Sequence, residues 1–279
     1  MRFGALIALF LFSAMAAQAF PPPAFTGTDN FNAGAMDSSK WVSVTLNGDA
    51  ALTQTGDGVV RYSTATSANG NAVWLWQVGV APFSSDWSMQ MDVANLRTIG
   101  DSQYFNIGIG VRNTANIETQ GYSVRLDATD GTPQSIGWET DKEAGGDTTM
   151  DRYNTLTQTG SLLLTWSAST HTLTAAFDEN GATGGYVWTA FSTYDPTLAD
   201  TWNMTSGDTF TFLLTASSQS ANIPTTDGIY ADNFSISGTS AFITNTVPEP
   251  GTPALLAAGG ALLALAGFRR AGRVKSVRN

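Results

Sequence analysis

Phe105-Asn106-Ile107-Gly108-Ile109-Gly110-Val111-Arg112 alternates without a break: odd positions are large and apolar, even positions small or polar. Successive side chains of a strand point to opposite faces. The octet therefore predicts a strand with one face packed inward and the other turned to solvent or a ligand. The same pattern extends outward from it. Tyr122, Val124 and Leu126 alternate with Ser123, Arg125 and Asp127. Leu162, Leu164 and Trp166 run into a turn at Ser169-Thr170, and Leu173, Ala175 and Phe177 return, which predicts a hairpin. Phe210, Phe212 and Leu214 mark a further strand, and Tyr230, Phe234 and Ile236 the last. Turn pairs such as Asn47-Gly48, Asp57-Gly58, Asp130-Gly131 and Asn180-Gly181 punctuate the series. No long stretch between residues 25 and 238 has helical periodicity. Many short strands in one large unit predict an all-β, two-sheet antiparallel sandwich over residues 20–238.

The two ends differ from this body. Arg2 precedes the apolar run Ala5–Phe12, and Ala17-Gln18-Ala19 places small residues at a cleavage site, so residues 1–19 read as a secretory signal peptide. Residues 239–246 read as a short polar tether. Beyond it, Val247-Pro248-Glu249-Pro250-Gly251-Thr252 leads into a Gly/Ala/Leu run over 254–268, predicted as an apolar helix. About fifteen residues make roughly 22 Å of helix, short of the roughly 20 residues that span a bilayer comfortably. Arg269, Arg270, Arg273, Lys275 and Arg278 follow. Positive residues stay on the cytoplasmic side, so the body lies outside, as the signal peptide requires.

The whole chain of 279 residues has 13 basic and 23 acidic side chains. Arg2 and the five basic residues of the tail leave seven basic in the body, and Glu249 leaves 22 acidic, a net charge of −15. Such a surface repels nucleic acid and anionic lipid. It suits a neutral partner, a basic one or a divalent cation. The chain has no cysteine, which excludes thiol catalysis, zinc–thiolate sites and a disulfide scaffold. A body of this size buries enough surface to stand without them.

The segment from Val247 through Arg269-Arg270, read in order at the extreme C-terminus, resembles the PEP-CTERM sorting signal. That resemblance implies recognition by a membrane protease of the exosortase type and cleavage near Pro248-Glu249-Pro250. It also implies a Gram-negative envelope and a cell that makes exopolysaccharide, with the helix in the inner membrane before processing and the protein then at the cell surface or in the extracellular matrix. Asp29-Asn30-Phe31-Asn32 with Asp37-Ser38-Ser39-Lys40-Trp41 is similar to the opening strand of concanavalin-A-like and laminin-G-like jelly rolls. Gly228-Ile229-Tyr230-Ala231-Asp232-Asn233-Phe234-Ser235-Ile236 is similar to their closing strand, and to that of jelly-roll carbohydrate-binding modules. Both imply a jelly-roll sandwich and carbohydrate recognition.

Four groups of residues are candidates for chemistry. Glu139, Asp141 and Glu143 would share one face of a strand, and laminarinase-type glucanases of the jelly-roll fold place three acids at this spacing. Retaining glycosidases need two carboxylates about 5–5.5 Å apart. Those glucanases have apolar residues between the acids, where this chain has Thr140 and Lys142, and Ala144-Gly145-Gly146-Asp147 follows as loop composition. The favoured reading is an exposed acidic turn, with catalytic residues assigned nowhere. His171, in a hairpin turn, makes a poor triad member. Asp232 falls by alternation on the face of Tyr230, Phe234 and Ile236, where a carboxylate is costly unless paired or ligated. It either caps backbone amides or, with Asp29 from the opening strand, holds a structural Ca2+. Trp74 and Trp76 lie on a strand apolar on both sides and read as core. Tyr186, Trp188, Tyr194 and Trp202 lie in loop-like sequence and are the candidates for a ligand-binding rim.

These observations favour a non-enzymatic, exported carbohydrate-binding sandwich of the exopolysaccharide or biofilm matrix, with no nucleic-acid partner. The alternatives are a glycoside hydrolase using Glu139, Asp141 and Glu143, and a purely structural surface protein.

Overall fold

The computed structural model describes residues 25–65, 69–97, 103–129, 135–219 and 222–243. The signal peptide with Ala17 and Ala19, Pro248-Glu249-Pro250, the apolar helix over 254–268 and Arg269-Arg270 lie outside the described residues. The described chain is all-β, and its one helical element is the 3-10 turn Thr114–Asn116.

Two antiparallel sheets face each other. The first runs in the order β14 (Thr189–Tyr194), β13 (Thr172–Asp178), β12 (Thr159–Ser167), β7 (Trp87–Asn95), β16 (Ile229–Gly238), β4 (Val60–Ser63), β3 (Ala51–Gln54), with β1 (Phe25–Asp29) also paired to β16. The second runs β11 (Asp147–Thr155), β10 (Ser135–Ala144), β9 (Gln120–Thr129), β8 (Tyr104–Asn113), β15 (Thr209–Gln219), β5 (Asn69–Trp76), β2 (Trp41–Asn47), with β6 (Ala81–Pro82) beside β15. Neighbours along the chain are often not neighbours in a sheet. β7, for example, lies between β12 and β16. First and last strands meet, Phe25 opposite Gly238 and Asp29 opposite Phe234.

The octet that opens β8 behaves as its alternation requires. Phe105, Ile107, Ile109 and Val111 are fully buried between the sheets. The small even positions have a steric cause. A Cβ on Gly108 would come within 2.2 Å of the Val124 carbonyl oxygen and 2.6 Å of the Arg125 Cβ. Gly108 and Arg125 are directly opposed in the register, so the glycine lets Arg125 lie close on the outer face. Between the sheets, Trp41 meets Phe234 edge-on at 4.8 Å and Trp76 at 5.0 Å, and Trp74 lies beside them. Trp74 and Trp76 are therefore core, as a strand apolar on both sides predicts. Trp138 stacks on Phe177 across the gap at 5.1 Å. Such pairs add about 0.5–1.5 kcal/mol each beyond the area they bury.

Three sequence expectations change. Trp138–Glu143 is not an exposed turn. It is the middle of β10, paired on both sides to β9 and β11, and the turn is confined to Gly145-Gly146 before Asp147. Sequence reading missed this because Thr140 and Lys142 look wrong for an inward face. Thr140 is nonetheless fully buried, and Lys142 reaches Asp151 at 2.6 Å. Second, Asp232 does not share a face with Phe234 and Ile236. The register against β7 slips between Asp232 and Ser235, and Asn233 takes a left-handed φ of 51°. This β-bulge turns Ile229 and Ala231 inward before it and Phe234 and Ile236 inward after it, leaving Tyr230 and Asp232 outside. Third, the described part of the expected tether, residues 239–243, packs on the sandwich. Ile243 bridges Val80, and Phe242 stacks on Phe212 at 5.4 Å.

Candidate functional site

Two outer faces carry the polar side chains singled out above. On the second sheet, Glu139, Asp141 and Glu143 do project from one side of β10, because Trp138 and Thr140 take the other. β9 and β11 bring arginines beside them. Arg125 donates from Nη2 to Glu139 Oε1 at 2.5 Å and from Nη1 to Asp141 Oδ2 at 3.0 Å. Arg152 donates from Nη1 to Glu139 Oε2 at 3.0 Å and also to Asp127 Oδ2. Arg112 pairs with Glu143. Arg125, Asp127 and Glu139 are each more than nine-tenths buried. Burial and the nearby Glu139 push the Asp127 carboxyl above its ordinary range, against the pull of Arg125 and Arg152. Burial acts against the charge of the Arg125 guanidinium, but Tyr104 and the carboxyls of Asp141, Glu139 and Asp127 outweigh it and hold the group well above its ordinary value.

The arrangement is an ion-pair network that engages both oxygens of Glu139 and leaves Asp127 Oδ1 and Asp141 Oδ1 without a hydrogen-bond partner. A retaining glycosidase needs a protonated carboxyl for the leaving oxygen and a free carboxylate for attack. Here both oxygens of Glu139 accept from guanidinium groups. The sequence offered a signal for this network in the outward Arg125 and Asp127 of β9. The spacing of the acids alone could not reveal that arginines oppose them.

On the first sheet, Asp92 of β7 stands directly opposite Asp232 of β16. Asn233 donates from Nδ2 to Asp92 Oδ2 at 2.9 Å, and Ser161 of β12 donates to Asp92 Oδ1. Partial burial and then Asp92 push the Asp232 carboxyl up. Above these groups runs the loop from β13 to β14. Asp178 holds it by accepting from Asn180 N at 2.9 Å and Val187 N at 2.6 Å. Gly181, Gly184 and Gly185 supply its left-handed turns. The loop presents Tyr186 and Trp188, half-buried and stacked on each other at 4.9 Å and 11°. Burial first, then Asp92, Asp178 and Asp232, push the Tyr186 phenol up. Asp92, Asp178 and Asp232 have no ion-pair partner among the described residues, whereas each described lysine and arginine is paired elsewhere.

The expected rim therefore divides. Tyr186 and Trp188 are at the surface together. Trp202 is core, its Nε1 donating to the Glu143 carbonyl at 2.7 Å. Tyr194 belongs to β14, stacks on Tyr122 at 5.6 Å, and burial pushes its phenol up to about 12. Those two rings meet each other at 5.3 Å. Sequence reading missed Asp92, Asn233 and Ser161, because only the sheet order brings them beside the loop.

The fold does not bring Asp29 and Asp232 together. Asp29 is buried, accepting from Phe31 N and from Trp41 Nε1, both at 2.9 Å, while Asp232 lies on the opposite face. Among the described residues no group of three or more His, Asp or Glu side chains is placed to hold a metal ion.

No curated protein matches the chain. Among solved structures, the endo-1,3-beta-glucanase from Streptomyces sioyaensis superposes with a TM-score of 0.52 at 11% identity, over 79% of this chain and 99% of that one. Lectin II from Ulex europaeus does so at 0.52 and 8% identity, over 78% and 99%. At these identities the likeness is one of fold. The C-terminal residues 246–271 match the PEP-CTERM protein-sorting motif. The chain thus has the two-sheet jelly-roll fold seen in concanavalin A-like proteins, and its residues 246–271 carry a PEP-CTERM protein-sorting motif.

Proposed function

We propose that this protein is exported, sorted to the cell surface through its C-terminal motif by an exosortase-type protease, and binds carbohydrate there as a non-enzymatic module of the exopolysaccharide matrix. The observation that carries the binding is the Tyr186–Trp188 stack above Asp92, Asp232 and Asn233. A pyranose ring has apolar C–H faces and a rim of hydroxyls. An aromatic platform takes the first, and carboxylate and amide oxygens accept from the second. The pairing of both Glu139 oxygens with arginines supports the non-enzymatic half of the reading.

Glycan-array binding by residues 20–246, with folding checked by circular dichroism, tests it. Binding to a defined glycan that Trp188→Ala weakens about tenfold is the expected result. Silence from the folded protein across a broad array would leave a structural surface protein instead.

One observation favours a second reading: the three acids of β10 do share a face. Incubation with β-1,3-glucan is expected to release no reducing sugar. Release that Glu139→Gln abolishes would make the protein a glycosidase.

A further inference from the structure

Asp178, Ser161, Asp92 and Asp232 stand directly opposite one another in turn, on β13, β12, β7 and β16. They make one row across the outer face of the first sheet, with about 4.8 Å from strand to strand. Asp92 and Asp232 are immediate neighbours in it, and like charges so placed are destabilising. The cost shows at Asp232, whose carboxyl is pushed up by partial burial and by Asp92, against the pull of the Asn233 amide. Among the described residues no cation offsets it. Arg61 of β4, two positions along from the row, is held by Asp57 and lies over the Tyr230 ring. Asp92 accepts from Ser161 and from Asn233, and the Tyr186 phenol hydrogen-bonds to it from the loop above. That contact seats the Tyr186–Trp188 stack beside the two carboxylates. Asp92, Asp232, Tyr186 and Trp188 all keep part of their surface in solvent.

An ammonium group supplies what the row lacks. It carries a positive charge and three donors, so it can reach both carboxylates through charge-assisted hydrogen bonds. A cation beside an aromatic ring gains further from the π face. A metal ion fits less well, because among the described residues no three acids are placed to hold one. A lysine side chain would meet the carboxylates but offers Trp188 a flexible stem in place of a ring face. An amino sugar brings both in one residue: an apolar ring face and, where it is not acetylated, an ammonium. We infer that the Tyr186–Trp188 platform takes a glycan of amino sugars with free amines, one ammonium seated between Asp92 and Asp232. The inference rests on the carbohydrate-binding reading above and fixes the charge of the ligand. A uronic-acid glycan is excluded from the same place, since its carboxylates would face the acidic row.

The test compares two glycans that share a backbone and differ in their acetyl groups, hence in charge: the β-1,4-linked glucosamine tetramer and its fully N-acetylated counterpart. Tetralysine serves as a cationic chain without sugar rings. Each is titrated by calorimetry into the full chain in non-ionic detergent micelles, with EDTA present. A pH of about 6 keeps the sugar amines protonated, and physiological salt screens long-range attraction to the acidic body. The expected result is that the amine tetramer binds at least tenfold more tightly than either the acetylated tetramer or tetralysine. Trp188→Ala is expected to weaken it about tenfold, and Asp232→Asn to bring the two tetramers within about twofold of each other. Equal affinity of the parent for both tetramers overturns the inference; if Trp188→Ala then weakens both, the carbohydrate-binding reading stands without it. Tetralysine bound as tightly as the amine tetramer overturns it in favour of a basic peptide. An amine tetramer bound undiminished by folded Trp188→Ala overturns it as general attraction to the acidic surface. Binding of neither tetramer overturns it too, and the glycan array then decides the platform reading on its own.

Discussion

Arg125 hydrogen-bonds both Glu139 and Asp141 from a buried position, so its loss strands two carboxylates at once. Breaking a buried ion pair on one side costs about 3–5 kcal/mol. Arg125→Met is expected to lower stability by about that much in urea unfolding, and adding Glu139→Gln should recover part of it. Trp188→Ala should behave in the opposite way: about a tenfold loss of glycan affinity, or 1.4 kcal/mol, with little change in stability, because the side chain is half-exposed. Asp232 gives a pH test. Its carboxyl is raised above the usual 3.8, so the folded state resists its ionisation. That penalty is absent well below 3.8 and complete once pH exceeds the raised value. Asp232→Asn should therefore raise the Tm at pH 7 and leave it unchanged near pH 3, a comparison that two calorimetric scans make.

At the level of elements, the bulge in β16 decides which residues of the closing strand face out. Asn233 holds a left-handed φ that glycine adopts freely and a β-branched residue resists by about 1–2 kcal/mol. Asn233→Gly should unfold within a few tenths of a kcal/mol of the parent, and Asn233→Val should lose about 1–2 kcal/mol by the same denaturation assay. This bulge also marks the limit of what the sequence shows. Period-two alternation located β8, β9, β12, β13 and β15, because each keeps one inward row from end to end. A bulge inserts one residue and inverts the row, and nothing in Asp232-Asn233-Phe234 announces it except an asparagine able to turn left-handed. β10 was hidden for a different reason. Its inward Thr140 and Lys142 are satisfied by Ser192 and Asp151, partners that only the folded sheets supply. The aromatic loop was legible as residues, and its acidic floor was not, since Asp92 and Asp232 lie 140 positions apart.

The whole molecule shows its charge and its ends most plainly. Each described lysine and arginine is engaged in an ion pair, so the surplus on the body is carboxylate. Sorting through the tail predicts that Pro248→Ala with Glu249→Ala leaves the chain uncut in the membrane fraction, by mass spectrometry of its C-terminus.

The closing strand ends beside the start of the first, where Gly238 lies opposite Phe25 and Trp87. The platform, level with Asp92, sits five residues along β7, about 17 Å at 3.3 Å per residue. If the processed C-terminus is anchored at one pole and the proposed glycan holds the other, the molecule is pulled along the axis of β16. That strand is laterally bonded to β7 on one flank and to β1 and β4 on the other. Traction along it therefore loads many hydrogen bonds in shear together, rather than unzipping them in turn. The Ile243–Val80 bridge and the Phe242–Phe212 stack must peel first, a mechanical fuse between tether and fold.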